Sequence, residues 1–326
     1  MAGPLGGHCV YTNGIFLTEF ARSASHNGRA AQVRAKHDAD ATHPLGKIAP
    51  MSPFDLHTHS TISDGTLTPA RLVQRALARG LDVLALTDHD DTGGIDEACR
   101  EAEGTPLRVL PGVEISVTWG SRTLHIVGLN VNHGDRTLAA GLAAIREGRD
   151  VRARRIGESF AKAGIHGAFE GAKRYVTSER LVSRTHFARF LIERGHARSM
   201  QDAFKRYMRA GRPGHVEHAW AALGDAVSWI HAAGGQAVIA HPARYGLTAT
   251  RMRRLLGEYR DLRGDAIEVI SPSHTLAEAE DSARCARVFG LLASTGSDFH
   301  DPAESPHDLG ALPPLPMGLA PVWSRW

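Results

Sequence analysis

The sequence predicts an α/β fold of parallel strands, either a barrel or a doubly wound sheet, interrupted by a helical insertion. Three observations predict it. From Met51 onward, short apolar strands alternate with helices of amphipathic spacing. Histidines and acidic residues recur where those strands end, which is where such folds collect functional side chains. Residues 136–220 then break the rhythm with a run that reads as helices joined by short loops.

Bulk properties narrow the class. A chain of 326 residues can hold one barrel-sized domain with an insertion, or two smaller domains. Its 42% hydrophobic and 22% charged content suits a soluble globular enzyme, and no apolar run approaches the roughly 20 residues needed to cross a bilayer. Cys9, Cys99 and Cys285 are widely spaced and form no CxxC pair, which argues against a disulfide framework and for a reducing compartment, the cytoplasm. There are 19 histidines, too many for all to be functional, so position has to decide among them. No Walker loop, GxSxG elbow or zinc-finger spacing is present.

Residues 1–50 lack sustained apolar periodicity and are rich in Ala, Gly, Arg, Ser and His. They are expected to be disordered, or to precede a true start at Met51. Their Arg and Ser content mildly resembles a transit peptide, but the apolar core of a secretory signal is missing. No chemistry is assigned to them.

The first element is FDLHTHSTISDG, residues 54–65. Phe54, Asp55 and Leu56 read as the end of a buried strand, and the period of two puts His57 and His59 on one face. Asp64 precedes Gly65, where the chain can bend back and bring a carboxylate to the same point. Imidazole with carboxylate is a ligand set for Zn, Mn or Fe. Thr68 and Pro69 then start a helix over ARLVQRALA that stops at Gly80.

A strand at 82–86 runs into TDHDD, where His89 is the natural ligand and Asp88, Asp90 and Asp91 are turn or supporting residues. A helix near 95–102 leads to strand LRVLP and then GVEIS, placing Glu114 at a strand end. The strand TLHIVGLNV carries His125 inside an apolar alternation.

The insertion is strongly basic. Residues 136–212 hold 18 Lys or Arg against 7 Asp or Glu, a balance of +11 in a chain whose total is +3. A basic helical face beside a metal site suggests attraction of a polyanion such as a nucleotide or nucleic acid.

The alternation then resumes. Helix GDAVSWIHAAG and strand QAVIA lead to His241, a basic helix spans about 250–263, and strand DAIEVI follows. A helix over 275–289 and strand LLAST open into GSDFHD, which sets Asp298 and His300 two apart. The tail, rich in proline from Pro313, reads as ordered wrapping or a loose end. Nine donors exceed the four that satisfy a tetrahedral zinc, so they suit two or three ions. Paired ions about 3.5–4 Å apart are a phosphoesterase arrangement, because they stabilise both the attacking and the leaving oxygen.

FDLHTHSTISDG, TDHDD, GVEIS, LHIVG, IAHP and GSDFH, in this order, resemble the motifs of the PHP (polymerase and histidinol phosphatase) superfamily of metal-dependent phosphoesterases, over residues 52 to about 310. The resemblance implies a distorted (β/α)7 barrel formed by residues 51–135 and 221–326, with residues 136–220 as an inserted helical domain. It implies a trinuclear centre, Mn by family habit with Fe or Zn chemically admissible, bound by His57, His59, Asp64, His89, Glu114, His125, His241, Asp298 and His300, with Glu114 bridging. SRTHFARFL and GRPGHV of the insertion resemble the branch that holds 3′,5′-nucleotide bisphosphatases and a 5′-to-3′ exoribonuclease, where an Arg and a His contact phosphate. These map to Arg184 and His186. The substrate expected is a nucleoside 3′,5′-bisphosphate or 5′-phosphorylated RNA, and His186 or a water supplies the leaving-group proton. The alternatives are a small phosphate monoester such as histidinol phosphate, or a non-catalytic nucleic-acid-binding module.

Overall fold

The computed structural model describes residues 53–176 and 181–326, so the expectations for residues 1–50 lie outside the described residues. Strands β1 (Phe54–Asp55), β2 (Val83–Leu86), β3 (Arg108–Trp119) and β4 (Arg122–Leu129) are followed by β5 (Ala221–Ala222), β6 (Gln236–Ile239), β7 (Ala266–Ile270) and β8 (Leu292–Thr295). They form one sheet in the order β1-β2-β3-β4-β6-β7-β8, with β5 added beside β3. The two ends meet: the Leu56 N–H donates to the Thr295 carbonyl at 3.2 Å, and Thr58 bridges Phe299. The sheet is therefore a nearly closed barrel rather than the doubly wound alternative.

One expectation is corrected. The strands are not all parallel: β4 runs antiparallel to both β3 and β6. The reason is local, because only Gly120 and Ser121 separate β3 from β4. Gly120 takes φ +57°, which a two-residue hairpin needs and most residues avoid. The hairpin also makes LRVLP and GVEIS one strand of 12 residues, so Glu114 sits inside β3 and not at a strand end.

Between the strands, α1 (Pro69–Ala78) begins on the Thr68 cap with proline in its first turn, as expected. Helix α2 is Ile95–Ala102. The insertion follows with α3 (Arg136–Lys162), α4 (Ala168–Lys173), α5 (Arg184–Glu193) and the short α6 (Met200–Ala203), which runs into a π-turn at Phe204–Met208. The barrel resumes with α7 (Leu223–Ala232), α8 (Ala249–Asp261) and α9 (Leu276–Phe289).

Helix α3 serves two cores. Leu138, Leu142 and Ile145 pack with Val227 and Ile230 against the barrel, whereas Ile156 and Phe160 join Phe187, Phe190 and Leu191 in a separate helical core. The tail wraps the barrel: Trp323 stacks on Phe54 at 4.4 Å between ring centres, and Val322 is buried. No helix among the described residues is long and apolar enough to cross a membrane.

Candidate metal centre

All nine predicted donors converge at one end of the barrel. His57 and His59 leave β1 on one face and are fully buried, as the period of two requires. Asp64 returns to them because the loop between is wrapped around Asp88, whose carboxylate accepts from the Ser60 N–H at 2.7 Å and from the Ser60 and Ser63 hydroxyls at 2.6 Å each. Gly65 is needed for a reason other than a left-handed turn: a Cβ there would lie 2.4 Å from the His59 carbonyl oxygen. Gly65→Ala is therefore expected to destabilise the fold by about 1–3 kcal/mol and to move Asp64. Urea denaturation checks the first effect, and metal titration of the folded variant checks the second.

Glu114 is the hub. His89 Nδ1 and His125 Nδ1 lie 2.7 Å from its carboxylate, His241 Nε2 3.0 Å, His57 Nε2 3.3 Å and His59 Nε2 3.4 Å. The hairpin accounts for this position, because cross-strand pairing carries β3 past β2 and the antiparallel β4 sets His125 opposite Ser116, from where its ring reaches diagonally to Glu114. Asp298 Oδ1 lies 3.2 Å from His59 Nε2, and His300 Nε2 lies 3.2 Å from Asp64 Oδ1. His241 and Asp298 hold positive φ values of 26° and 47°, local strain of the kind that collects at functional sites.

Among the described residues, three overlapping groups of donors have ligand atoms within 4.8 Å of one another: His59, Asp64, His89 and His300; His57, His59, Glu114 and Asp298; and His89, Glu114 and His125. His57 Nε2, His59 Nε2, Asp64 Oδ1, His89 Nδ1 and Glu114 Oε2 are buried and, although each faces an oppositely charged group of the cluster at 2.7–3.4 Å, none makes a hydrogen bond of good direction. A buried polar atom left unsatisfied costs about 1–3 kcal/mol, and five converging in one hollow fit bound cations.

Charge follows this geometry. Burial alone would raise Glu114, but His125, His89 and His57 hold it well below the usual carboxylate range. Burial would lower His57, but Glu268, Glu114 and Asp298 push it well above the usual imidazole value. His300 is raised to about 9 by Asp64 and Asp298 against its burial, while burial, aided by His300, takes His59 down to about 3.

These shifts have a consequence for cation binding. His57 and His300 carry protons at neutral pH that must leave when a cation binds. Mn²⁺ affinity is thus expected to rise with pH up to about 9, with proton release visible as buffer-dependent heat in calorimetry. The contribution of His300 to the metal-free fold runs the opposite way. His300 is raised from 6.5 to about 9, so the stability it contributes is complete below pH 6.5 and is lost as pH rises through 9.

Sequence reasoning missed two residues of the site. Glu268 in β7 reaches His57 Nδ1 at 2.6 Å and accepts the His241 N–H at 2.6 Å, which fixes the ring so that Nε2 faces the hollow. Arg244 pairs with Asp298 at 2.5 Å.

The insertion residues separate. Arg184 lines the cavity of about 270 Å³ that also contains Asp64, His89, His125 and Asp298. His186 is buried; its Nδ1 accepts the Ser183 N–H at 3.0 Å, closing a capping box at the start of α5, and burial takes it down to about 4. Ser183 in turn donates to Asp64 Oδ2 at 3.0 Å, tying the insertion to the donor cluster.

Buried imidazoles and carboxylates in a hollow at one end of an α/β barrel, with an arginine on the cavity wall, define a metal-dependent hydrolase. The chain belongs to the PHP domain family, whose model matches residues 55–269. A 3′,5′-nucleoside bisphosphate phosphatase of Chromobacterium violaceum is 48% identical over 273 residues, 84% of this chain and 96% of the relative. The 5′-3′ exoribonuclease Rnm of Escherichia coli is 44% identical over 275 residues, 84% of this chain and 93% of the relative. An amidohydrolase structure from Chromobacterium violaceum, solved with bound sulfate and no metal, superposes with a TM-score of 0.81 at 48% identity, covering 83% of this chain and 94% of that one.

Proposed function

We propose that this protein removes the 3′-phosphate from nucleoside 3′,5′-bisphosphates and, by breaking the same bond, releases nucleotides from the 5′ end of 5′-phosphorylated RNA. The observation that supports this reading most is the convergence of nine donors, several of their atoms without a well-directed hydrogen bond, on one hollow beside the cavity-lining Arg184. The names of the relatives at 44% and 48% identity agree with it.

Three divalent cations, Mn²⁺ with Fe²⁺ or Zn²⁺ able to substitute, would be held among the nine donors, His241 included, with Glu114, which lies in two of the three overlapping donor groups, the carboxylate placed to serve more than one of them. When bound, such cations lower the pKa of water and offset charge on phosphoryl oxygens. The protein's own groups do the rest. Glu268 and the Asp88-wrapped loop orient the donors, and Arg184 engages a phosphate oxygen. His186 holds the start of the helix that presents Arg184. Residues 136–220 act as a cap domain over the barrel, and the cytoplasm is the proposed compartment. No observation favours the small-monoester or the non-catalytic reading.

Arg184→Ala is expected to raise KM for the bisphosphate by roughly 10–100-fold, the effect of one charge-assisted hydrogen bond, with a smaller change in kcat. Steady-state kinetics at saturating Mn²⁺ check it. The RNA arm is tested with a short 5′-phosphorylated RNA labelled at its 3′ end. Stepwise loss of mononucleotides from the 5′ end is expected, whereas internal cuts or resistance would contradict exonuclease action.

A further inference from the structure

Beyond Arg184 lies a second cavity of about 460 Å³, walled by the β3–β4 turn, residues 215–220, Arg152 and Arg184. A narrower space of about 80 Å³ bridges it to the donor cluster, with His89 and His125 among its walls together with Arg152, Arg184 and Trp220.

The arginines here are not balanced in the usual way. A guanidinium drawn into a protein normally has a carboxylate beside it. Arg149 has one, Asp90, and also bonds the Ser116 hydroxyl. Arg152 has none within ion-pairing distance among the described residues. Its Nε donates to the Val216 carbonyl at 3.2 Å, and its guanidinium sits 5.3 Å from the centre of the Trp220 ring. Arg184 likewise sits 5.9 Å from the Phe204 ring centre.

A carbonyl and an aromatic face position a guanidinium without cancelling its charge. Burial, then Arg184 and Arg149, push Arg152 down to about 9, so these like charges are close enough to repel. Glu217, the one carboxylate on the wall of the larger cavity, is exposed. Arg152, with no carboxylate partner, and Arg184, partly offset by Asp64 on the wall of the bridging space, face one hollow and are suited to an anion with several acceptor oxygens.

We propose that Arg152, held by Trp220 and Val216, joins Arg184 in binding the phosphate that is not cleaved, so that the substrate spans from the donor cluster to this arginine pair. The inference rests on the proposed function and gives it a specificity element. A nucleoside 3′,5′-bisphosphate and a 5′-phosphorylated RNA end present the same two phosphates across one ribose. One arginine pair would therefore serve both substrates, and the larger cavity would receive what lies beyond.

The test compares Arg152→Gln and Arg152→Lys with the unaltered protein on adenosine 3′,5′-bisphosphate and on 4-nitrophenyl phosphate, which has no second phosphate. Arg152→Gln is expected to raise KM for the bisphosphate at least tenfold more than KM for the aryl ester, with kcat on the bisphosphate changed much less. Arg152→Lys should recover part of the loss. Equal effects on the two substrates, in variants with unaltered circular dichroism, would overturn the subsite.

A second readout separates this inference from the reading beneath it. Adenosine 5′-monophosphate is titrated into metal-free protein and followed by tryptophan fluorescence. Saturable binding weakened at least tenfold by Arg152→Gln upholds the subsite even if no phosphate ester is turned over. Binding indifferent to Arg152 overturns the subsite even if the bisphosphate is hydrolysed.

Discussion

Glu114→Gln is expected to lower phosphoesterase turnover by at least about a thousandfold, some 4 kcal/mol of transition-state stabilisation. Imidazoles from five positions lie within 3.4 Å of this carboxylate, from 2.7 Å for His89 and His125 outward, and it belongs to two of the three donor groups. The amide keeps the shape but replaces one donor oxygen with an NH₂ that cannot bind a cation, and it removes the charge that those rings surround. Losing a group that merely orients a ligand typically costs 10–100-fold, so a ligand shared by two ions should cost more. The check is kcat with bound metal counted in the same sample. Turnover within tenfold of the unaltered protein at full metal content would show that Glu114 is not shared.

Metal removal carries the second large effect. Chelation is expected to abolish turnover and Mn²⁺ to restore it, and the thermal midpoint should rise on reloading. A ligand present at a hundredfold its Kd and binding only the folded state adds about 2.7 kcal/mol. For a domain of this size that corresponds to roughly 4–5 °C. The buried atoms of His57, His59, Asp64 and Glu114 that make no well-directed hydrogen bond are the expected source of that gain. Differential scanning calorimetry of stripped and reloaded protein measures it; a midpoint indifferent to Mn²⁺ would mean that these atoms have another purpose.

Much of this site is legible in the sequence because strand periodicity is a strong constraint. His57 with His59 and Asp298 with His300 are each two apart, and both pairs converge. Other features depend on contacts that no local rule exposes. The two-residue Gly120-Ser121 turn is a hairpin signal, but in a chain that otherwise alternates strand and helix it is overridden by the expectation of parallel strands.

Glu268 lies in the apolar run AIEVI, away from any strand-end motif. Its signal is energetic, since a lone carboxylate in a buried strand needs a partner, and here the partner is His57. Arg152 and Arg244 are two among many arginines, distinguishable only once the fold shows which lack a carboxylate and which meet Asp298. The boundary at residue 136 is blurred for a related reason. Helix α3 is continuous, and only the packing of Ile145 against one core and Ile156 against another shows where the barrel gives way to the helical layer.

The donor cluster is proposed to act on a phosphate ester flanked by a second phosphate. The most direct measurement is phosphate release from adenosine 3′,5′-bisphosphate by Mn²⁺-loaded protein, with 4-nitrophenyl phosphate in parallel. Hydrolysis to adenosine 5′-monophosphate and phosphate, lost in chelator and strongly preferred over the aryl ester, is the predicted result. Hydrolysis of the aryl ester with the bisphosphate untouched, or silence on both with metal bound, would contradict the account.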